Sequence, residues 1–236
     1  VTLWLLPLLG LVAFLYAAVG HAGASGYIAV LALAGLPAEQ IKPLALILNI
    51  AVAAQGSWQF WRAGHLRWRL FWPVLLAGLP AAFLGGWLDL PTLWFQRLVA
   101  LVLLASALRF LRQPGDPERL TQPPLILLVL SGAGLGLLAG LTGTGGGVFL
   151  TPLLLGCSWA STRQAAAVSS LFIFGNSLSG LAGLLLARQL SGALLPAQLG
   201  WMLLMVLLAG AVGSRLGSRH WPVAWIRRCL ALVLLL

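Results

Sequence analysis

No Asp or Glu falls within any of the apolar runs that make up most of this sequence. The runs lie at about 3–20, 27–36, 43–61, 70–88, 94–111, 125–141, 148–157, 164–187, 197–214 and 223–236. A helix crossing a bilayer needs about 20 apolar residues. Backbone in hydrocarbon must satisfy its own hydrogen bonds, so only helices and closed barrels cross. Barrel strands would alternate in polarity over about ten residues. These runs are continuous and rich in Leu and Ala, which predicts an all-α polytopic membrane protein of roughly eight spans. Two runs, 27–36 and 148–157, are too short to cross, and each follows a Gly-rich break. The eleven tryptophans gather near run ends, as at Trp58, Trp61, Trp68 and Trp72. That is the pattern of an aromatic belt at the lipid–water interface.

Charge sharpens this. Only 8% of residues are charged, against about 25% in soluble domains, which excludes a soluble globule and a disordered chain. The balance is 14 Lys+Arg to 4 Asp+Glu. Nucleic-acid binding is the usual reading of so basic a chain, but apolar runs separate the charges and no patch forms. Of the acids, Asp116 and Glu118 share one polar loop, Asp89 sits in a short turn and Glu39 follows Gly-Leu-Pro. Cation carriers place carboxylates inside the membrane. This chain has none to place, so a neutral or anionic substrate is expected.

Cys157 and Cys229 stand far apart and suggest neither a disulfide framework nor a metal site. The three histidines lack Cys or carboxylate neighbours. With no nucleophile–base pair and no Walker sequence, neither an enzyme nor a cofactor is expected.

The polar stretch Gln113–Gln122, closed by Pro123-Pro124, divides the chain into near-equal halves. The expected units are 1–112, a linker at 113–124, and 125–236. Residues 91–104 (PTLWFQRLVALVLL) resemble 222–235 (PVAWIRRCLALVLL). Gly20-His-Ala-Gly-Ala-Ser-Gly26 aligns with Gly140-Leu-Thr-Gly-Thr-Gly-Gly146, and Asn49 pairs with Asn176. Three matches in one order predict an internal duplication.

Arginines report orientation, because basic loops stay in the cytoplasm. Loop 62–69 carries Arg62, Arg67 and Arg69, while its counterpart 188–196 has only Arg188. Loop 89–97 has Asp89 and Arg97, while its counterpart 215–228 has Arg215, Arg219, Arg227 and Arg228. The basic side swaps between halves. Placing these loops and the middle loop (Arg109, Arg112, Arg119) on one side requires inverted repeats with an odd number of crossings each. Three spans plus one re-entrant hairpin, at 3–36 and 125–157, satisfy this, although 3–20 is long enough to cross by itself. Inverted repeats with broken helices are a common transporter build. Irregular backbone at that depth must be buried in protein or line a wet cavity, which places a site at the Gly-tipped hairpins.

The strongest motif is Leu141-Thr-Gly-Thr-Gly-Gly-Gly147. Successive glycine N–H groups can form an anion-binding nest, and a half-helix starting near Val148 would add its positive end. Gly143, Gly145, Gly146 and Gly147 would supply backbone donors, Thr142 and Thr144 hydroxyls. The alternative is close helix packing through small residues. In the first half, Gly20, Gly23 and Gly26 would frame Ser25, a donor, and His21. His21 either binds an anion when protonated, couples a proton, or sits neutral against a carbonyl at the break. Tyr27 reads as a packing or interface residue. Asn49 and Asn176 lie mid-run and need partners, either each other's helices or a substrate. Ser170, with Ser169, Ser177 and Gln55, is a weaker candidate. Lys42 either attracts anions to an entrance or snorkels to headgroups.

Taken together, Gly20-His-Ala-Gly-Ala-Ser-Gly-Tyr27, Ile41-Lys-Pro-Leu-Ala-Leu-Ile-Leu-Asn49, Leu141–Gly147 with Pro152, and Ala167-Val-Ser-Ser-Leu-Phe-Ile-Phe-Gly-Asn-Ser177 resemble the TauE/SafE sulfite-exporter family, over nearly the whole chain. The resemblance implies a multi-pass carrier of the bacterial inner membrane, from a family associated with sulfite and organosulfonates. It carries the glycine clusters and both asparagines over as site residues. Family members often have glycine where His21, Ala22 and Ala24 stand here. The expectation is a secondary transporter for a small oxyanion. A passive anion channel and a structural membrane subunit are the rival readings.

Overall fold

Proline and serine set where the helices begin. The computed structural model describes residues 4–88, 116, 119–187, 197–226 and 228–229. Its helices are α1 (Leu5–Ala18), α2 (Ala24–Leu33), α3 (Ala38–Arg62), α4 (Trp68–Trp87), α5 (Leu125–Thr142), α6 (Gly147–Gly156), α7 (Thr162–Leu186) and α8 (Leu199–Arg215), with a π-helical turn at Leu216–His220. No strand occurs among the described residues. Pro37 and Pro124, both extended, precede α3 and α5, where the fixed φ and missing N–H of proline cost nothing. Ser161 and Gln164 form a capping box at α7. α3 begins at Ala38, ahead of the apolar run at 43–61. Pro43 sits close enough to its start to cost only one backbone bond.

Among the described residues, five helical stretches are long and apolar enough to cross a membrane: Gln40–Arg62, Trp68–Trp87, Leu125–Thr142, Thr162–Leu186 and Leu199–His220. α1, α2 and α6 are shorter. α1 has 14 residues, or about 20 Å at 1.5 Å per residue, which is less than a hydrocarbon core of about 30 Å. The expected span at 94–111, the 91–104 match, most of 223–236, and Asp89, Arg97, Arg109, Arg112, Glu118, Arg188 and Arg227 lie outside the described residues.

Glycines bring neighbouring helices into backbone contact. Side chains at Gly132, Gly136 and Gly140 of α5 would run into the carbonyls of Val74, Gly78 and Ala82 on α4. α4 and α5 therefore run parallel, in the close-packed manner of small residues in membranes. α1 lies parallel to α8 in the same way, with Gly213 on the Phe14 carbonyl and Gly217 on that of Ala18. α3 and α8 are also parallel, joined by Gln59 Nε2 to the Ala211 carbonyl at 3.1 Å. So are α4 and α7, joined by Ser179 Oγ to the Leu79 carbonyl at 2.6 Å. α3 and α7 cross antiparallel at the centre, through Asn49–Ser177 and Ser57–Ser170.

These pairings map onto themselves when α1–α4 are exchanged with α5–α8. α4–α5 answers α1–α8, α4–α7 answers α3–α8, α2–α3 answers α6–α7, and α3–α7 is its own counterpart.

The loops at one end of the bundle are tied together. His65 Nε2 lies 3.0 Å from the Ser218 carbonyl, and Arg67 donates to the Trp159 carbonyl at 3.1 Å. Arg163 donates to the Trp221 carbonyl at 2.9 Å, and Asp116 accepts from the Thr162 backbone at 2.8 Å. Thr121 N–H reaches the Ser158 carbonyl at 2.9 Å. We call this the basic face. The chain enters α5 from it and returns to it after α6, so α5 and α6 form a helical hairpin. α1 runs parallel to α8 and away from the opposite face. α2 returns to that face at the short turn before α3, which makes α1–α2 a second hairpin.

Candidate functional site

Both hairpin tips are built by glycines in the left-handed backbone region, which Cβ-bearing residues rarely enter. Gly20 (φ +79°) and Gly23 (φ +104°) shape the first tip, and Gly143 (+73°), Gly145 (+72°) and Gly146 (+79°) the second. Gly23 and Gly146 immediately precede α2 and α6, each of 10 residues, and no side chain caps either helix. The left-handed positions pair Gly20 with Gly143 and Gly23 with Gly146. This register lies three residues on from the one at which the sequences match Gly20 to Gly140. Backbone handedness can tolerate only glycine at those points, whereas Gly140 is free to serve α4–α5 packing.

The tips reach past one another. Gly20 lies against Ala166, in the first turns of α7. Gly143 lies against Lys42, in the first turns of α3, with the Lys42 Cγ 3.1 Å from where a Gly143 Cβ would be. Gly145 meets the α3–α7 crossing. A Cβ there would sit 2.7 Å from Ile173 Cγ2, 2.9 Å from Ser177 Oγ and 3.0 Å from Asn49 Nδ2. His21 of the first tip closes on α6, its Cδ2 3.5 Å from the corresponding point on Gly147. Its Nε2 is 2.9 Å from Thr151 Oγ1, which in turn donates to Ser169 Oγ at 2.7 Å.

One small, fully buried region therefore gathers Gly145, Gly147, His21, Asn49, Ser177, Thr151 and Ser169 from α3, α6, α7 and both tips. It holds backbone and amide donors beside unpaired polar atoms of Asn49 and His21. The first N–H groups of α6 have no acceptor within their own helix, and the helix dipole makes that end positive. The Asn49 amide nitrogen faces Gly145 and reaches Ser177 Oγ only at 3.5 Å, while Asn49 Oδ1 and His21 Nδ1 have no hydrogen-bond partner.

Other expected residues take different positions. Thr142 donates to the Ala139 carbonyl at 3.2 Å and accepts from the Thr144 N–H at 2.9 Å, and the two hydroxyls lie 2.6 Å apart. With the Thr142 proton on Ala139, Thr144 donates to Thr142, so these hydroxyls brace the tip. Ser25 pairs with Tyr16 Oη at 2.8 Å, and Gly26 makes room for Val12 of α1. Ser170 bonds Ser57 Oγ and the Ala53 carbonyl, both at 3.3 Å, across α3–α7. Asn176 is fully buried with neither amide atom bonded, but it turns toward α4. A Cβ on Gly78 would be 3.0 Å from Asn176 Oδ1. The ring of Tyr27 folds back on Gly23. Gln55 Oε1 is buried and unpartnered beside α8.

Residues 5–236 match the model of the family described as sulfite exporter TauE/SafE. The chain belongs to that family. It is 38% identical over 229 residues, covering 95% of this chain and 91% of the relative, to a Sinorhizobium fredii protein described as "Probable membrane transporter protein y4hK". No solved structure matches. With five long apolar helices among its described residues, this TauE/SafE chain is a multi-pass membrane protein of a transporter family.

Two residues of the buried cluster went unremarked or undervalued in the sequence. Thr151 stands in an otherwise apolar helix one residue before Pro152, and its lone hydroxyl there is the available signal. Ser177 was overshadowed by its neighbour Asn176, yet it is Ser177 that faces Asn49. Among the described residues, no group of His, Cys, Asp or Glu assembles as a metal site.

Proposed function

We propose that this TauE/SafE protein is a secondary transporter that binds a small oxyanion, sulfite or a related organosulfur anion, where the second glycine tip meets the α3–α7 crossing. The observation that carries the reading is Gly145. Its missing side chain leaves the Asn49 amide, the Ser177 hydroxyl and the uncapped start of α6 converging on one point. Half-helix N-termini facing a buried centre are how many carriers hold anionic groups. Among the described residues no buried carboxylate opposes an anion there. His21 borders the site and carries either a second donor or a coupled proton.

The two halves, 1–112 and 125–236 around the linker 113–124, would act as inverted repeats. Equivalent helices run in opposite directions, since α3 and α7 are antiparallel, while α1 parallels α8 and α4 parallels α5. With the arginine-bearing loops in the cytoplasm, the α5–α6 hairpin enters from inside and the α1–α2 hairpin from the far side of the bacterial inner membrane. Rocking the hairpins against the spanning helices would alternate access.

The test is uptake into proteoliposomes of sulfite, sulfate, thiosulfate, sulfoacetate and taurine, with and without a pH gradient. Saturable flux of a sulfur oxyanion is expected, with Gly145→Leu plus Asn49→Leu abolishing it. Transport of none of the panel would reject the substrate class. Undiminished flux in the double variant would reject the site.

A further inference from the structure

A groove of about 480 Å³ opens between α3 and α8 at the basic face, away from the glycine tips, lined by Gln59, Ala211, Val212, Arg215, Leu216 and His220. Its lining is divided. Ala211 and Val212 lie toward the membrane interior, with Gln59 bonded to the Ala211 carbonyl, and Arg215, Leu216 and His220 follow toward the basic face. The rim is shaped by the π-helical turn. Trp221 N–H bonds the Leu216 carbonyl at 2.8 Å, five residues back, and this wider turn stacks His220 one turn above Arg215, with Nδ1 3.4 Å from the Arg215 carbonyl. Such turns recur at functional sites in helices.

The groove sits at the height of the headgroups. Exposed Trp58 and Trp61 lie on the same end of α3, and Arg62 stacks over the Trp58 ring at 5.8 Å. Trp225 is also exposed, with Arg228 over its ring at 5.6 Å. Arg215, Arg219 and His220 are all exposed, and among the described residues Arg215 has no carboxylate partner. Nor could most of its kind have one, since 14 basic residues face 4 acidic ones. Apolar walls below, cationic donors above and an interfacial position together match one occupant from the bilayer. Basic pockets between membrane helices on the cytoplasmic side take anionic headgroups.

We propose that this groove binds one anionic phospholipid, its phosphate held by Arg215 and His220 with Gln59 at the edge, and an acyl chain along Ala211, Val212 and Leu216. The lipid would clamp α3 to α8 across the two halves.

The experiment uses the full chain in mixed micelles and in nanodiscs of phosphatidylcholine alone or with one-fifth phosphatidylglycerol. Native mass spectrometry should show a phosphatidylglycerol molecule retained on the wild type, and phosphatidylglycerol should raise its Tm by several degrees. Arg215→Gln with His220→Gln should lose both effects, while Arg69→Gln, in the first turn of α4, should keep them. Val212→Trp fills the groove without removing charge, and should also lose the retained lipid, which guards against misfolding of the charge variant. Glycerol phosphate, lacking acyl chains, should leave Tm unchanged. Equal lipid retention by the wild type and both groove variants would overturn the proposal. So would a Tm rise with glycerol phosphate matching that with phosphatidylglycerol, since that would mark a free-phosphate site.

Discussion

The amide nitrogen of Asn49 lies 3.0 Å from the point a Gly145 Cβ would occupy. A mid-span asparagine and a left-handed glycine, far apart in sequence, thus share one small volume, and a side chain at Gly145 would have to displace Asn49. Gly145→Ala forces an L-residue into the left-handed region, at about 1–2 kcal/mol, and pushes its methyl into Asn49, Ser177 and Ile173. Sulfite flux is expected to fall at least about tenfold, about 1.4 kcal/mol in barrier terms, with protein yield and monodispersity retained. Flux within twofold of wild type would separate Gly145 from the site.

Charge at Asn49 should be worse than loss of its donor. Asn49→Leu removes one amide donor, whereas Asn49→Asp adds a carboxylate that repels an anion across a few ångströms of low-dielectric protein. Saturation curves in proteoliposomes should rank wild type above Leu above Asp in apparent affinity. Ser177→Ala, which removes one neutral hydroxyl from the site and its 3.5 Å contact with Asn49, should cost least.

Thr151 bridges His21 and Ser169 at 2.9 and 2.7 Å. Thr151→Val keeps the shape and removes both bonds, leaving buried polar atoms unpaired, for about 1–3 kcal/mol. The check is Tm in detergent, expected to drop clearly. Ser169→Ala, which deletes only the terminal member, should drop it less.

Two glycines of α5 should respond in opposite ways. A side chain at Gly136 would strike the Gly78 carbonyl, whereas nothing lies within 4 Å of the Cβ position at Gly134. Gly136→Ile should give aggregated protein on size exclusion. Gly134→Ala should be neutral or stabilising by about 0.5–1 kcal/mol, through the helix preference of alanine.

Sidedness can be read by labelling. In a chain with Cys157→Ser and Cys229→Ser, Ala63→Cys and Arg219→Cys should react with an impermeant maleimide from the same side. Leu33→Cys, 81% exposed at the C-terminal end of α2, should react from the other. Labelling of Ala63→Cys and Arg219→Cys from opposite sides would disprove the inverted arrangement.

Much of the frame was legible in the sequence for reasons that are local. Apolar length sets which segments can cross, and proline at 37 and 124 sets where helices start. The two short runs after glycine breaks appear as α2 and α6 because a left-handed residue ends one helix and opens the next. The repeat register was less legible. Glycine serves two purposes in this chain, turning the backbone at Gly143 and letting helices touch at Gly140, and a letter alone does not say which.

The pairing of Asn49 with Asn176 shows the same limit at the site. α3 and α7 have 25 residues each, and matched end to end they set Asn49 level with Ile173, one turn before Asn176. Being on α7 is decided by sequence. Facing α3 or α4 depends on which helices α7 packs between and in what rotation, and that follows from the glycine contacts of α4 with α5 and α7. By itself the sequence determined a membrane-spanning helical chain with no carboxylate in its apolar runs and with two glycine breaks. Only the tertiary structure decided that Gly145 meets Asn49 and Ser177 while Asn176 turns to Gly78. A helix's buried face is chosen by its neighbours, and its own residues are apolar nearly all round.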